Sequence, residues 1–427
     1  MIDNLKKCNI YFSNTDYLKL TGGTEKFLKD IIEEFKKNNI DSVQIFPIQK
    51  LNRAVSKYLK NSHNEYVGIN VNGSYYGTFE FAKLSNVFVH LQKKYKFVYQ
   101  GIIINQINNF SKKNLAKLFK TINLPIKYIV HDFTSLCPYI FYPSKTGVIC
   151  ETDIVIPSRE TCGSCNYLEK AIANYKSSKE FFDTCENLLD SFIFPSENAY
   201  RNWEKSFQYS CNYVVRPHLS YNFCAVDKNY NKKTRLAFIG QPANHKGLKE
   251  WLHLIEILPK DEFEFYYLGN SDMFEKNPNI ITCNVDYRDK NSLTMQKALK
   301  KFNIDVVFLW SKCMETYSYT YYESLESGCY VVTNNYSGNI ADSVVKNVNG
   351  KAFDSFLECQ NWFLNCNYKN DLKLYFENGS KICNVSKNLD LYDLRFDCDY
   401  VLDKKISTTV FFNPLLYVMG KFKFFQL

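Results

Sequence analysis

Leu236-Ala-Phe-Ile-Gly240-Gln-Pro-Ala-Asn-His-Lys246-Gly247 opens with four apolar residues that read as a buried strand. A Gly/Pro loop then breaks the run, and residues 247 to 258 carry the apolar repeat of a helix. A strand that enters a helix through a glycine-bearing loop is the repeating unit of a parallel α/β sheet. The rhythm continues beyond it. Strands are expected at Phe263–Leu268, Val306–Leu309 and Tyr330–Thr333, and helices at Leu293–Phe302, Thr316–Glu326 and from Gly338. Toward the N-terminus, strand Asn9–Phe12 and the turn Leu20-Thr21-Gly22-Gly23 lead to a helix capped by Thr24. Phe27, Leu28, Ile31, Ile32 and Phe35 line one face of that helix. Further strands (Val43–Ile48, Val98–Ile104, Tyr128–Val130, Phe192–Phe194) alternate with helices around Leu115–Phe119, over 178–190 and from Ser196. The spacing predicts an α/β chain of two doubly wound parallel-sheet domains facing each other across a cleft. Their expected limits are 1–218 and 235–395, joined by a linker over 219–234. Residues of about 133–170 form a cysteine-containing insertion. A tail, 396–427, returns to the first domain or lies near a membrane. Ligands of such folds sit at the carboxyl ends of the strands, here in the cleft.

Composition narrows the function. The 427 residues are 45% apolar and 23% charged, which excludes disorder as the main state. No run approaches the roughly 18 apolar residues of a spanning helix, and the start, MIDNLKKCNIYFS, lacks a secretory apolar core. Fifteen irregularly spaced cysteines fit a reducing compartment, so a cytoplasmic chain is expected. The net charge of +9 is uneven: through His218 there are 28 Lys and Arg against 20 Asp and Glu. So small an excess reads first as a merely solvated surface; the functional readings are an anionic membrane face or a phosphorylated ligand. Nucleic acid is not an expected partner, because no zinc-finger, RRM or helix-turn-helix signature occurs.

The chemistry concentrates in Glu315-Thr-Tyr-Ser-Tyr-Thr-Tyr-Tyr-Glu323. Glu315 falls in the loop after a strand and Glu323 inside the next helix. The amides of Thr316, Tyr317 and Ser318 would form that helix's N-terminus, an anion site. Taken alone, the spacing of the two glutamates is better read as a first-turn acid and a solvated helix residue. The Gly240–Gly247 loop adds amides and the Lys246 cation for a diphosphate, with His245 beside it. Its spacing matches neither a Walker A loop nor a dinucleotide fingerprint. Gly22 and Gly23 form a second loop between a strand and a helix, where a plain tight turn is the alternative.

These landmarks resemble the retaining glycosyltransferases of family 4, with the GT-B fold of two Rossmann-like domains. Gly22-Gly23, His131-Asp132, Gly240…Lys246-Gly247, Glu315…Glu323 before Gly328, and Ser337-Gly338-Asn339 fall in the family's order. The wording around His245 and Glu315 is similar to a bacterial surface-polysaccharide branch (O-antigen, lipopolysaccharide or capsule synthesis). The resemblance implies a nucleotide-sugar donor and a saccharide or lipid-linked saccharide acceptor, with the enzyme peripheral at the inner face of the membrane. It assigns Lys246 to the donor diphosphate and Glu323 to the ribose hydroxyls. Glu315 falls beside the transferred sugar, the 316–318 amides on its phosphate and His131 near the sugar from the opposite side. Gly22, Gly23 and Gly240 allow close backbone approach. No cofactor or catalytic metal is required, because a lysine and helix amides can meet the charge on the diphosphate. Gln241 stands where many members carry an arginine, so Lys246, the amides and His245 would have to suffice. Two alternatives stay open: a non-catalytic nucleotide-sugar or glycan-binding partner, and a nucleotide-sugar epimerase of the same fold.

Cys137, Cys150, Cys162 and Cys165 contain one C-x2-C knuckle and are candidates for a structural Zn²⁺. Four free cysteines are the alternative. The apolar tail from Val410 with its two lysines suits either a membrane interface or a return onto the first domain.

Overall fold

Eight strands of the first domain form one sheet. In chain order they are β1 (Lys6–Phe12), β2 (Ile40–Pro47), β4 (Tyr66–Val71), β5 (Ser74–Glu80), β6 (Phe97–Ile104), β7 (Ile126–Ile129), β8 (Leu189–Phe194) and β9 (Asn212–Val215). A two-residue strand, β3 (Lys50–Leu51), stands apart from this sheet. The computed structural model describes residues 5–20, 22–48, 50–51, 65–139, 156–163, 165–226, 232–286, 289, 291–377, 380–387, 393–402 and 425–426. The sheet order is β5-β4-β2-β1-β6-β7-β8-β9, parallel from β2 through β9. β6 is buried along its whole length, as a central parallel strand covered on both faces should be. One face packs against the helices Leu84–Tyr95, Lys112–Ile122 and Leu168–Cys185. The other face packs against the helix Gly23–Lys37 through Phe27, Leu28, Ile31, Ile32 and Phe35.

The sequence reading missed the antiparallel hairpin β4–β5 at the sheet edge. Its two-residue turn is Asn72-Gly73, both with positive φ, the type I′ geometry that this dipeptide favours. Gly22, not Thr24, occupies the N-cap of the Gly23–Lys37 helix. The helix expected over 178–190 spans Leu168–Cys185.

The six-stranded sheet of the second domain is wholly parallel. Its strands β11 (Thr234–Ile239), β12 (Phe263–Leu268), β13 (Ile280–Cys283), β14 (Val306–Phe308), β15 (Tyr330–Asn334) and β16 (Gly350–Phe353) lie in the order β13-β12-β11-β14-β15-β16. Separate apolar clusters cover its two faces. Before it, β10 (Leu219–Val226) occupies part of the expected linker and pairs antiparallel with β17 (Ser380–Lys387).

Residues 393–402 lie on the first domain. The Phe396 ring fills the space where Gly101 has no Cβ. Tyr400 exchanges backbone hydrogen bonds with Tyr99, and the Leu402 amide donates to Gln92. Asp397 and Asp399 flank Cys398 in this segment. Gln100 donates to Asp399, and Lys7 lies 3.7 Å from it. Beyond this, β18 (Phe425–Gln426) pairs with β3; the rest of the tail from Val410 lies outside the described residues. Among the described residues no helix is long and apolar enough to cross a membrane.

Candidate active site

In the second sheet, strand order reverses between β11 and β14, and a crevice opens beyond their carboxyl ends. Gly240 ends β11 with φ +87°. The following loop closes in a short 3-10 turn, Asn244–Lys246, instead of running straight into the helix. Gly247 then takes φ +84°, and a Cβ there would lie 2.6 Å from the Trp310 carbonyl oxygen. Gly247→Ala therefore meets both left-handed strain of about 1–2 kcal/mol and a backbone clash. A fall in melting temperature is expected, with Lys246 displaced; an unchanged melting curve would contradict this role for the turn.

Lys246 ion-pairs with Glu315, whose Oε1 also accepts from Ser311 Oγ at 2.9 Å. Burial alone would lower the Lys246 pKa. The Glu315 carboxylate outweighs it by charge and hydrogen bond and raises the value, so the cation is secure at neutral pH. Glu315 is held by the turn Ser337-Gly338-Asn339: its amide donates to the Ser337 carbonyl at 3.3 Å and its carbonyl accepts from the Asn339 amide at 2.8 Å. At Gly338, φ +64°, a Cβ would press 2.7 Å from the Glu315 carbonyl oxygen. Gly240, Gln241, Lys246, Ser311, Glu315, Ser318 and Thr320 are among the residues around a cavity of about 90 Å³. His245 flanks it; burial and the Lys246 charge lower its pKa, with Glu315 opposing.

The helix after this loop spans Tyr319–Glu326, not 316–326. Ser318 is its N-cap and accepts from the Tyr321 amide at 3.3 Å. Thr316 and Tyr317 precede it because they join the domains. Thr316 Oγ1 donates to the His131 carbonyl, Ser196 Oγ donates to the Thr316 carbonyl at 2.8 Å, and Tyr317 OH accepts from the Leu219 amide at 3.1 Å. Glu323 is only 3% exposed, which removes the alternative of a solvated helix residue. Lys26 of the first domain lies 3.5 Å from Glu323 Oε1 and 4.3 Å from the centre of the Tyr319 ring. Sequence reasoning missed Lys26, although it sits in the first turn after Gly22-Gly23.

The first-domain wall carries Gly22, Gly23, His131 and His218. A Cβ at Gly23 would stand 3.6 Å from the Tyr319 ring, so the glycine loop and the second domain's helix meet. His131 Nε2 lies 2.9 Å from Asn105 Oδ1, and its ring packs on Phe27 and His218. Burial pulls the His131 pKa down to about 3, and burial followed by the His131 charge lowers that of His218. Both are neutral at pH 7, so His131 presents a hydrogen-bonding imidazole and not a charged acid.

The unfolded histidines protonate near 6.5. Their contribution to stability is complete above that pH and is lost as pH falls through it toward the folded values. His218→Phe, which keeps the ring contacts, should lose less stability than wild type between pH 6.5 and 4.5 in urea titrations. Parallel losses would contradict a neutral buried His218.

Cys137, Cys162 and Cys165 are half-buried, and the Tyr139 and Tyr167 rings beside two of them stack at 4.5 Å. Among the described residues no three His, Cys, Asp or Glu side chains converge to hold a metal. Cys150 lies outside the described residues, so the full set of four is not described.

No protein-family model matches this chain, and no curated protein matches it in sequence. Solved structures do match in fold. HepE of Anabaena in complex with UDP-glucose is 11% identical with a TM-score of 0.53, over 87% of this chain and 93% of that one. Sucrose-phosphate synthase of Thermosynechococcus elongatus is 10% identical with a TM-score of 0.52, over 86% and 90%. A TarM variant of S. aureus, solved with fondaparinux, α-GlcNAc-glycerol and UDP, is 11% identical with a TM-score of 0.50, over 88% and 97%. At these identities the likeness concerns architecture. The chain has the GT-B fold: two Rossmann-like domains facing each other across a cleft.

Proposed function

We propose that this chain is a glycosyltransferase that moves a sugar from a nucleotide-sugar donor to a saccharide or lipid-linked saccharide, with retention, as in family 4. One observation carries the reading. The Lys246 cation shares a cavity with Ser318 and Thr320 at the N-terminus of the Tyr319–Glu326 helix, and the buried Glu323 carboxylate lies in that same helix, at the crevice where β11 and β14 diverge. The donor's diphosphate is assigned to Lys246, Gly240 and the helix N-terminus, with Ser318 as cap and the 316–318 segment behind it. Its ribose is assigned to Glu323 and its sugar to the space between Glu315 and His131. As the glycosidic bond breaks, negative charge grows on the leaving diphosphate, and a preorganised cation there favours the transition state over the ground state. Glu315 is engaged by Lys246 and Ser311 and is not assigned as a nucleophile. Work at the cytoplasmic membrane face on a bacterial surface glycan belongs to the same proposal.

Gln241 faces this cavity in place of a second cation, which favours one rival: a protein that binds nucleotide-sugar without cleaving it. Both readings require binding. Thermal shift across a panel of nucleotide-sugars should reveal at least one ligand that stabilises the protein, by about 2.7 kcal/mol at 100 Kd. A panel without any such ligand would sink both.

A further inference from the structure

A cavity of about 460 Å³ lies between the Lys112–Ile122 and Leu168–Cys185 helices of the first domain. Lys112, Lys113, Lys117 and Lys120 line it on one side, Ser177 on the other, and Glu180 is its single carboxylate. Ala116 and Phe181 form an apolar floor. We propose that this groove is a phosphate-recognition site, separate from the donor cleft, that takes the phosphate or diphosphate group of an ester.

Three observations converge on an anion. First, Lys112 is only 7% exposed, yet its ammonium donates to a neutral partner, Asn174 Oδ1, at 2.7 Å. A buried ammonium is costly without an opposite charge, and burial lowers its pKa to about 8. None of the four lysines forms an ion pair with a described residue. Second, Lys112 and Lys113 occupy the first turn of a helix that has no acid there. The helix dipole disfavours cations at that end, and Lys113 and Lys117 repel at i,i+4 spacing. Stability of the free helix does not select this arrangement, whereas a bound anion relieves all of it. Third, Lys113, Lys117 and Lys120 form one stripe about 10 Å long, enough to flank more than one phosphate group.

A hydrogen-bonded path runs from the groove toward the cleft. Asn174, which accepts from Lys112, donates through Nδ2 to the carbonyls of Thr134 at 2.9 Å and Ser135 at 3.2 Å. These residues continue the loop that begins at His131-Asp132.

The test uses exposed residues outside the donor site. Lys113→Gln/Lys117→Gln/Lys120→Gln is compared with wild type, with Lys246→Ala and with charge reversal at Lys93, Lys94 and Lys96, a second basic cluster at the C-terminal end of the Leu84–Tyr95 helix. The probes are inorganic pyrophosphate, followed by calorimetry, and phosphatidylcholine vesicles with and without phosphatidylglycerol, followed by co-sedimentation. Wild type and Lys246→Ala should bind at least one probe, and the triple glutamine variant should bind it at least tenfold more weakly. Binding to anionic vesicles alone identifies a lipid head group as the source, and pyrophosphate binding identifies a free phosphate. Equal binding by wild type and the triple variant, loss on Lys246→Ala, no binding by wild type, or equal loss from the Lys93/Lys94/Lys96 reversal would each overturn the proposal. Donor cleavage is measured on the same proteins. Intact probe binding without cleavage by wild type would count against glycosyl transfer alone.

Discussion

Lys246→Ala should lower the rate of donor cleavage by ~10²–10³, about 2.7–4 kcal/mol of transition-state stabilisation, with a much smaller change in donor KM. The reason lies in when the charge is needed. Before reaction, Glu315 and Ser311 already engage the site, and the diphosphate of the intact donor is less basic than the leaving group it becomes. The lysine thus contributes most as the bond breaks. The substitution also leaves Glu315 without its cation, adding repulsion toward the diphosphate in the same direction. Steady-state measurement of kcat and KM separates these effects. An unchanged kcat/KM would remove Lys246 from the diphosphate site.

The second large effect separates the two glutamates. Glu323→Ala should weaken free nucleoside diphosphate and intact donor alike by roughly 10- to 100-fold, because a charged hydrogen bond contributes about 1.5–3 kcal/mol and ribose is common to both ligands. Glu315→Ala should penalise the intact donor far more than the nucleoside diphosphate, since its assigned partner is the sugar. Lys26→Met, which retains much of the stem over Tyr319, controls for loss of the Lys26–Glu323 contact between domains. Isothermal titration of all three variants checks this division. Equal losses for both ligands in both glutamate variants would refute it.

The parallel strands were legible because their apolar runs are short, continuous and separated by helical repeats, as at Phe263–Leu268. The β4–β5 hairpin was equally available in Asn72-Gly73, but the expectation of a purely parallel sheet passed over it. The start of the Glu323 helix was misread for a different reason. Thr316 and Ser318 can both cap a helix, and only the partners across the cleft, His131 and Ser196, decide that Ser318 does so. That Gly240 follows a strand, Lys246 lies in the loop after it and Glu323 sits inside a later helix could be read from motif order. Lys26 could not, because its partner is 297 residues away and no local spacing reports that contact. The same holds for Lys112: a lysine at the start of an amphipathic helix looks solvated until the neighbouring helix with Asn174 is in place.

Release of nucleoside diphosphate from a nucleotide-sugar panel, by wild type and Lys246→Ala side by side, tests glycosyl transfer from this cleft most directly. The expected result is time-dependent release from at least one donor by wild type, with slow hydrolysis when acceptor is absent, reduced ~10²–10³-fold by the substitution. A wild-type protein that binds a nucleotide-sugar tightly yet releases no nucleoside diphosphate, with or without saccharide acceptors, would contradict it.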